Sequence, residues 1–220
     1  MVNAFTLFSD SRCARSDVPH QAAQISLNPP HPLRSVANMA QATEQFTRFK
    51  SLLATAQPPM LGPQGRAGAT DAAELHRQLA AFFQAEAVAP PLQPLLTSAA
   101  LLWHDHLDAS HTLSQDIETR EGSWLHGIMH RREPDYGNAK YWFKRVGPHA
   151  AFPKLAACAA ELLRDCGDNL VATGPWDPFA FIDECEAAES GKDAEVINVL
   201  RQIQVAEFDV LIEHLFFIAS

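Results

Sequence analysis

The choice of apolar residues is what most narrows the folds open to this chain. It carries 35 alanines and 23 leucines against only 10 valines and 8 isoleucines. β-Branched side chains are the usual filling of a sheet, whereas alanine and leucine are among the best helix formers. A chain so composed lacks the material for an extensive sheet and is expected to be all-α. At 220 residues it is long enough to bury a core without disulfide or metal staples. With 47% hydrophobic and 20% charged residues it falls among ordinary globular sequences rather than disordered or low-complexity ones.

Periodicity divides the chain. Residues 1–34 contain Pro19, Pro29, Pro30 and Pro32 and no sustained period, and are expected to be an irregular N-terminal arm; residues 35–220 are expected to form a single all-α domain. Met39, Phe46, Phe49, Leu52 and Leu53 predict a first helix that ends before Pro58-Pro59. Asp71 with Glu74 three residues on has the form of a capping box for a second, with Leu75, Leu79, Phe82 and Phe83 as its apolar stripe. A third helix is expected over residues 92–115, then a helical hairpin over 123–146 stopped by Gly147-Pro148. Further helices are expected over 154–164, from the Asp177-Pro178 cap to about 189, and over 195–217. The sum is about eight helices packed as antiparallel hairpins, in a helical bundle or a repeat-like array.

Charge and cysteines exclude several classes. The net charge of −9 gives no broad footprint for nucleic acid or an anionic membrane, so neither is an expected partner. The four cysteines are scattered with no CxxC pair, and Cys158 among alanines and leucines reads as a buried reduced thiol. No secretory leader pattern and no window of 18 uninterrupted apolar residues is visible, so a soluble, cytoplasmic protein is expected.

Against this background one segment stands out. Half of the ten histidines, His104, His106, His111, His126 and His130, fall within 27 residues. On a continuous helix His104, Asp108, His111 and Gln115 share one stripe, and His126, His130 and Glu133 share another on the next helix. His106 faces the apolar side and is expected to be a core histidine bonded to a neighbour. If the two helices are antiparallel, His111 meets His126, Asp108 meets His130, and His104 meets Glu133. Such a layer of imidazoles and carboxylates is the chemistry that holds Zn²⁺, Fe²⁺ or Mn²⁺ between helices, and the alternative is a satisfied polar network. Burying so many titratable groups demands one or the other.

A basic run overlaps the histidines. Arg131, Arg132, Lys140, Lys144 and Arg145 supply five of the 17 basic residues within 15 positions. With Tyr136, Asn138, Tyr141 and Trp142 they make a candidate pocket for a small anionic ligand, or for an acidic protein segment; the alternative is a solvated helix face.

The stretch WLHGIMHRREPDYGNAKYWFKRVG resembles one tetratricopeptide-type helical hairpin: Gly127 is followed twelve residues later by Ala139, then Phe143 and Val146, with Trp124 upstream. His126 and His130 stand where such repeats place leucine and an aromatic ring, and no second copy follows at a 34-residue step. The longer pattern from WHDHLDASHTLSQ to WDPFAFIDECE also resembles a family of uncharacterised bacterial and fungal hypothetical proteins, over about residues 95–215. That resemblance brings no activity and no catalytic residues.

The expected function is therefore that of a helical protein binding a small anionic ligand or a divalent metal in a His/Asp/Arg-lined interhelical pocket. Two other readings stay open. One is a metal-dependent hydrolase or oxygen-dependent enzyme with Glu133 or Asp108 as general base; the other is a protein–protein interaction module in which the histidines are structural. No serine elbow, phosphate loop or nucleophilic cysteine supports other chemistry.

Overall fold

A computed structural model describes residues 36–164, 175–189, 191 and 193–218. The expected N-terminal arm lies outside the described residues, as do Cys13 and Cys166. Among the described residues the protein is all-α: α1 (Val36–Leu52), α2 (Ala72–Ala85), a 3₁₀ turn (Pro90–Leu92), α3 (Gln93–Trp103), α4 (Leu107–Ser114), α5 (Arg120–Arg132), α6 (Tyr136–Val146), α7 (Phe152–Leu163), α8 (Pro178–Glu189) and α9 (Ala194–Ile218).

Local chemistry explains most of the boundaries. Asp71 caps α2 by accepting from the backbone N–H groups of Ala73 and Glu74, at 2.9 and 3.4 Å. The reciprocal half of the capping box is replaced, because Glu74 instead accepts from Gln78 at 2.8 Å and pairs with Arg77. Thr119 caps α5 through the Gly122 N–H, and Asp135 caps α6 through the Asn138 N–H. α6 stops at Gly147, whose φ of 59° lies in the left-handed region that a side chain disfavours. Asp177 caps α8 through Phe179 and Ala180.

One expected helix is two. The 92–115 segment breaks at residues 104–106 into α3 and α4, and Asp105 takes a φ of 65° although it is not glycine. The break is held from outside. Arg66 donates to Asp105 Oδ2 from its backbone N–H at 3.0 Å and its Nε at 2.9 Å, and Arg132 Nη2 donates to Oδ1 at 2.7 Å. Arg66 also reaches the Trp103 carbonyl and Arg132 the Leu102 carbonyl, so carbonyls orphaned at the end of α3 find donors. His104 accepts the Thr70 N–H on Nδ1 at 3.0 Å and donates Nε2–H to the Leu52 carbonyl at 2.8 Å. The loop between α1 and α2 is thereby tied across the break.

α9 is the core element. Its Leu200, Ile203, Phe208, Leu211, Ile212 and Leu215 are fully buried, and it packs against α1, α3, α7 and α8. Phe49, Phe82 and Phe216 join α1, α2 and α9 through ring contacts of 5.5 to 6.4 Å. α9 also buries charge. Glu207 accepts from Trp124 Nε1 at 3.0 Å and from Arg131 at 3.2 and 2.5 Å, with Glu207 0% and Arg131 1% exposed. Arg131 reaches Gln204 as well, and its guanidinium lies 4.6 Å from the centre of the Phe181 ring, so one side chain joins α5, α8 and α9.

α5 and α6 form an antiparallel hairpin. His130 meets Asn138, His126 meets Trp142 and Gly127 meets Phe143, so the contacts run in opposite directions along the two helices. A Cβ on Gly127 would come within 2.7 Å of the Phe143 ring, which shows how closely the helices approach. No described helix is long and apolar enough to cross a membrane.

The Arg131–Glu207 pair yields a prediction. Glu207→Leu strands a buried guanidinium and is expected to lower unfolding free energy by about 3–5 kcal/mol, whereas Arg131→Met with Glu207→Leu recovers most of that loss. Urea unfolding of the wild type, the single and the double variant checks it.

Candidate metal centre

Residues four apart share a helix face, so α5 stacks His126 and His130 on consecutive turns, with ring centroids 4.7 Å apart. The five residues between α4 and α5 turn the chain back and bring His111 edge-on to both, at 4.8 Å from His126 and 5.1 Å from His130. α6 covers a third side: the Trp142 ring stacks on His126 at 3.9 Å, and Asn138 Nδ2 lies 3.1 Å from His130 Nε2. One ring nitrogen from each of His111, His126 and His130 lies within 4.8 Å of the others.

The hydrogen bonds set which nitrogens carry lone pairs. His126 is 2% exposed, and the nearby Ser114 backbone carbonyl favours its protonated form without outweighing burial. Its Nδ1 is buried with no hydrogen-bond partner among the described residues. His130 Nε2 accepts from the Asn138 amide, which leaves the proton on Nδ1, 3.4 Å from Glu133 Oε2. A carboxylate or a backbone carbonyl on the far nitrogen is the usual support of a metal-bound histidine. Burial, then the neighbouring His130 and His111, pushes His126 down to about 4. Burial and then His111 lower His130. Both rings are neutral near pH 7, the form that ligates a cation.

The remaining candidates divide clearly. Glu133 sits beside His130 as described. His104 is not in the cluster: the break between α3 and α4 moves it out of phase with His111, and both of its nitrogens are engaged by Thr70 and Leu52. Asp108 lies exposed in the first turn of α4 and is not among the clustered ligand atoms. His106 bonds the Thr70 carbonyl at 2.8 Å, as expected of a satisfied histidine.

The basic run is dispersed. Arg131 and Arg132 are buried in the pairs with Glu207 and Asp105 and do not line an open pocket. Lys140 pairs with Asp183 of α8. Tyr136 is half-buried, with its phenol pushed up by burial and by a hydrogen bond to Glu189. Lys144 lines a cleft with Phe143, Gly147 and Trp176. Asn138, Trp142 and Arg145 stay with the histidines, with Tyr141 at the edge: Arg145 lies 5.0 Å over the Trp142 ring and 3.5 Å from the Tyr141 hydroxyl.

A second cluster was not legible in the sequence. Glu121 of α5, His149 before α7 and His214 of α9 also bring their ligand atoms within 4.8 Å of one another. They are drawn from three separate regions of the chain, with no common spacing to betray them. Its protonation argues against a metal. His149 Nδ1 accepts the Ala151 N–H at 3.2 Å, so the ring proton resides on Nε2, facing Glu121 at 3.3 Å. A metal on Nε2 would require both nitrogens to act as acceptors. The hydrogen bonds from His149 and His214 hold the Glu121 carboxyl far below the usual carboxylate range, which defines a hydrogen-bonded clasp.

Comparison with protein-family models, curated proteins and solved structures finds no match to this chain.

The depressed His126 has a direct consequence for stability. The unfolded chain takes up this proton near pH 6.5, whereas the native state resists it until about pH 4. Stability associated with His126 is therefore present above pH 6.5 and lost as pH falls toward 4, by an amount on the order of 3 kcal/mol. His126→Asn is expected to flatten the dependence between pH 7 and 4.5, as measured by urea unfolding of metal-free protein.

Proposed function

We propose that this protein binds a divalent transition metal, with Zn²⁺ as the best match, through His111, His126 and His130. The observation that carries the reading is the buried His126 Nδ1, which lacks a partner within a cluster of three imidazoles. An unsatisfied buried acceptor is destabilising, and a cation removes that penalty. Three imidazoles without thiolates suit Zn²⁺ better than Mn²⁺, which prefers oxygen ligands.

The geometry is near what the ion needs. Tetrahedral ligands on zinc stand about 3.4 Å apart at ordinary Zn–N lengths. Side-chain rotation closes the gap from the observed spread of up to 4.8 Å. His126 and His130 sit on one rigid helix, and the half-exposed His111 provides the open side through which the ion enters. Three protein ligands leave a fourth position, the arrangement of sites that also bind a water or a small molecule.

Calorimetric titration of tag-free, chelator-stripped protein with Zn²⁺ is expected to show one equivalent bound and a rise in melting temperature. His111→Ala, at a half-exposed position, is expected to keep its fold and lose affinity about 100-fold, while His149→Ala in the other cluster keeps tight binding. Zero stoichiometry, or unchanged affinity in His111→Ala, would overturn the proposal.

A further inference from the structure

The face of α6 that covers the histidines is chemically graded. Asn138, Trp142 and Arg145 are spaced by four and three, so an amide, an indole and a guanidinium form one stripe over the histidine layer. Asn138 touches His130, Trp142 stacks on His126, and the Arg145 guanidinium lies 5.0 Å over the Trp142 ring. The positive charge of Arg145 is felt at His126, where it opposes protonation. Glu133 and Asp135 stand at the other end, with carboxylate oxygens 3.4 and 4.0 Å from His130 Nδ1. The site thus has an acidic end at His130 and a cationic end near His126.

A metal in this layer changes the tally of charge and of donors. Neutral imidazoles leave the ion its full double charge. Glu133 and Asp135 offset it, and Arg145 restores a single net positive charge, which one monoanion neutralises. When the metal takes the His130 Nε2 lone pair, the Asn138 amide N–H loses its acceptor and becomes available to a bound oxygen. The guanidinium, held over Trp142 and bonded to the Tyr141 hydroxyl, is the fork that pairs with a carboxylate.

Resting on the metal reading above, we infer that the fourth ligand is a small monocarboxylate, one oxygen on the metal, with Arg145 and the Asn138 amide binding its remaining lone pairs. Arg145 is then the residue that distinguishes a carboxylate from water. The other cations of the basic run do not take this part. Arg131, Arg132 and Lys140 have carboxylate partners, and Lys144 lines a different cleft.

Cobalt provides the readout, because the visible absorption of Co²⁺ reports its inner ligands. The chelator-stripped full chain is loaded with Co²⁺ and titrated with acetate, with inorganic phosphate as comparator. In the wild type acetate is expected to shift the spectrum in the millimolar range, and more tightly than phosphate. Arg145→Ala is expected to bind Co²⁺ as the wild type does but to weaken acetate about tenfold. Lys144→Ala, which removes the same charge from the same helix, leaves acetate binding unchanged.

The outcomes separate the two claims. A Co²⁺ spectrum indifferent to acetate, equal acetate affinity in wild type and Arg145→Ala, equal weakening by Lys144→Ala, or tighter binding of phosphate would each overturn the carboxylate inference while leaving the metal site standing. Failure of the wild type to bind Co²⁺ and Zn²⁺ at all would overturn both.

Discussion

Two consecutive guanidiniums buried at the end of α5 determine where everything else can stand. Arg131 and Arg132 are about 100° apart on the helix and reach opposite ways. Arg131 joins Glu207 and Gln204 of α9, and Trp124, seven residues earlier on the same face, shares the Glu207 carboxylate. Arg132 joins Asp105 and the Leu102 carbonyl at the break between α3 and α4. Burying such charges is unfavourable unless each finds its partner, so both register and rotation of α5 are held to one arrangement. His126 and His130 occupy the face that remains, against α4 and α6.

The same constraint accounts for what the sequence could and could not disclose. Helix ends governed by their own residues, such as the Asp71 and Asp177 caps and the Gly147 stop, were readable because their physics is local. So was the pairing of His126 with His130, which follows from helical spacing alone. The break at residues 104–106 was not readable. WHDHLD holds neither glycine nor proline, and the left-handed Asp105 is held by arginines 39 and 27 positions away. Missing the break carried His104 and Asp108 into a stripe that does not exist, although His111, beyond it, does meet both α5 histidines.

The basic run misled for a related reason. Charge in sequence is silent on whether a guanidinium meets water or a buried carboxylate, and the partners Glu207 and Asp183 belong to distant helices. Once those pairs are made, a run of five cations leaves Arg145 beside the histidines. The expected run of many cations contracts to one guanidinium on an indole.

The two histidine clusters show why proximity is a weaker criterion than proton placement. Both groups satisfy the same distance test. In the Glu121 cluster every contact is between a donor and an acceptor that already suit each other, and His149 has its lone pair engaged by the Ala151 backbone. In the His111 cluster the Asn138 amide engages His130 Nε2, whereas His126 Nδ1 is buried with no partner among the described residues, so one ring nitrogen is left unsatisfied. Protons are poor occupants of that space, because burial and the neighbouring rings keep His126 neutral down to about pH 4. The neighbouring imidazoles do not satisfy it either, since His126 Nδ1 is bonded to neither His111 nor His130. The proposed cation would satisfy that nitrogen, because it accepts a lone pair without having to donate a hydrogen bond.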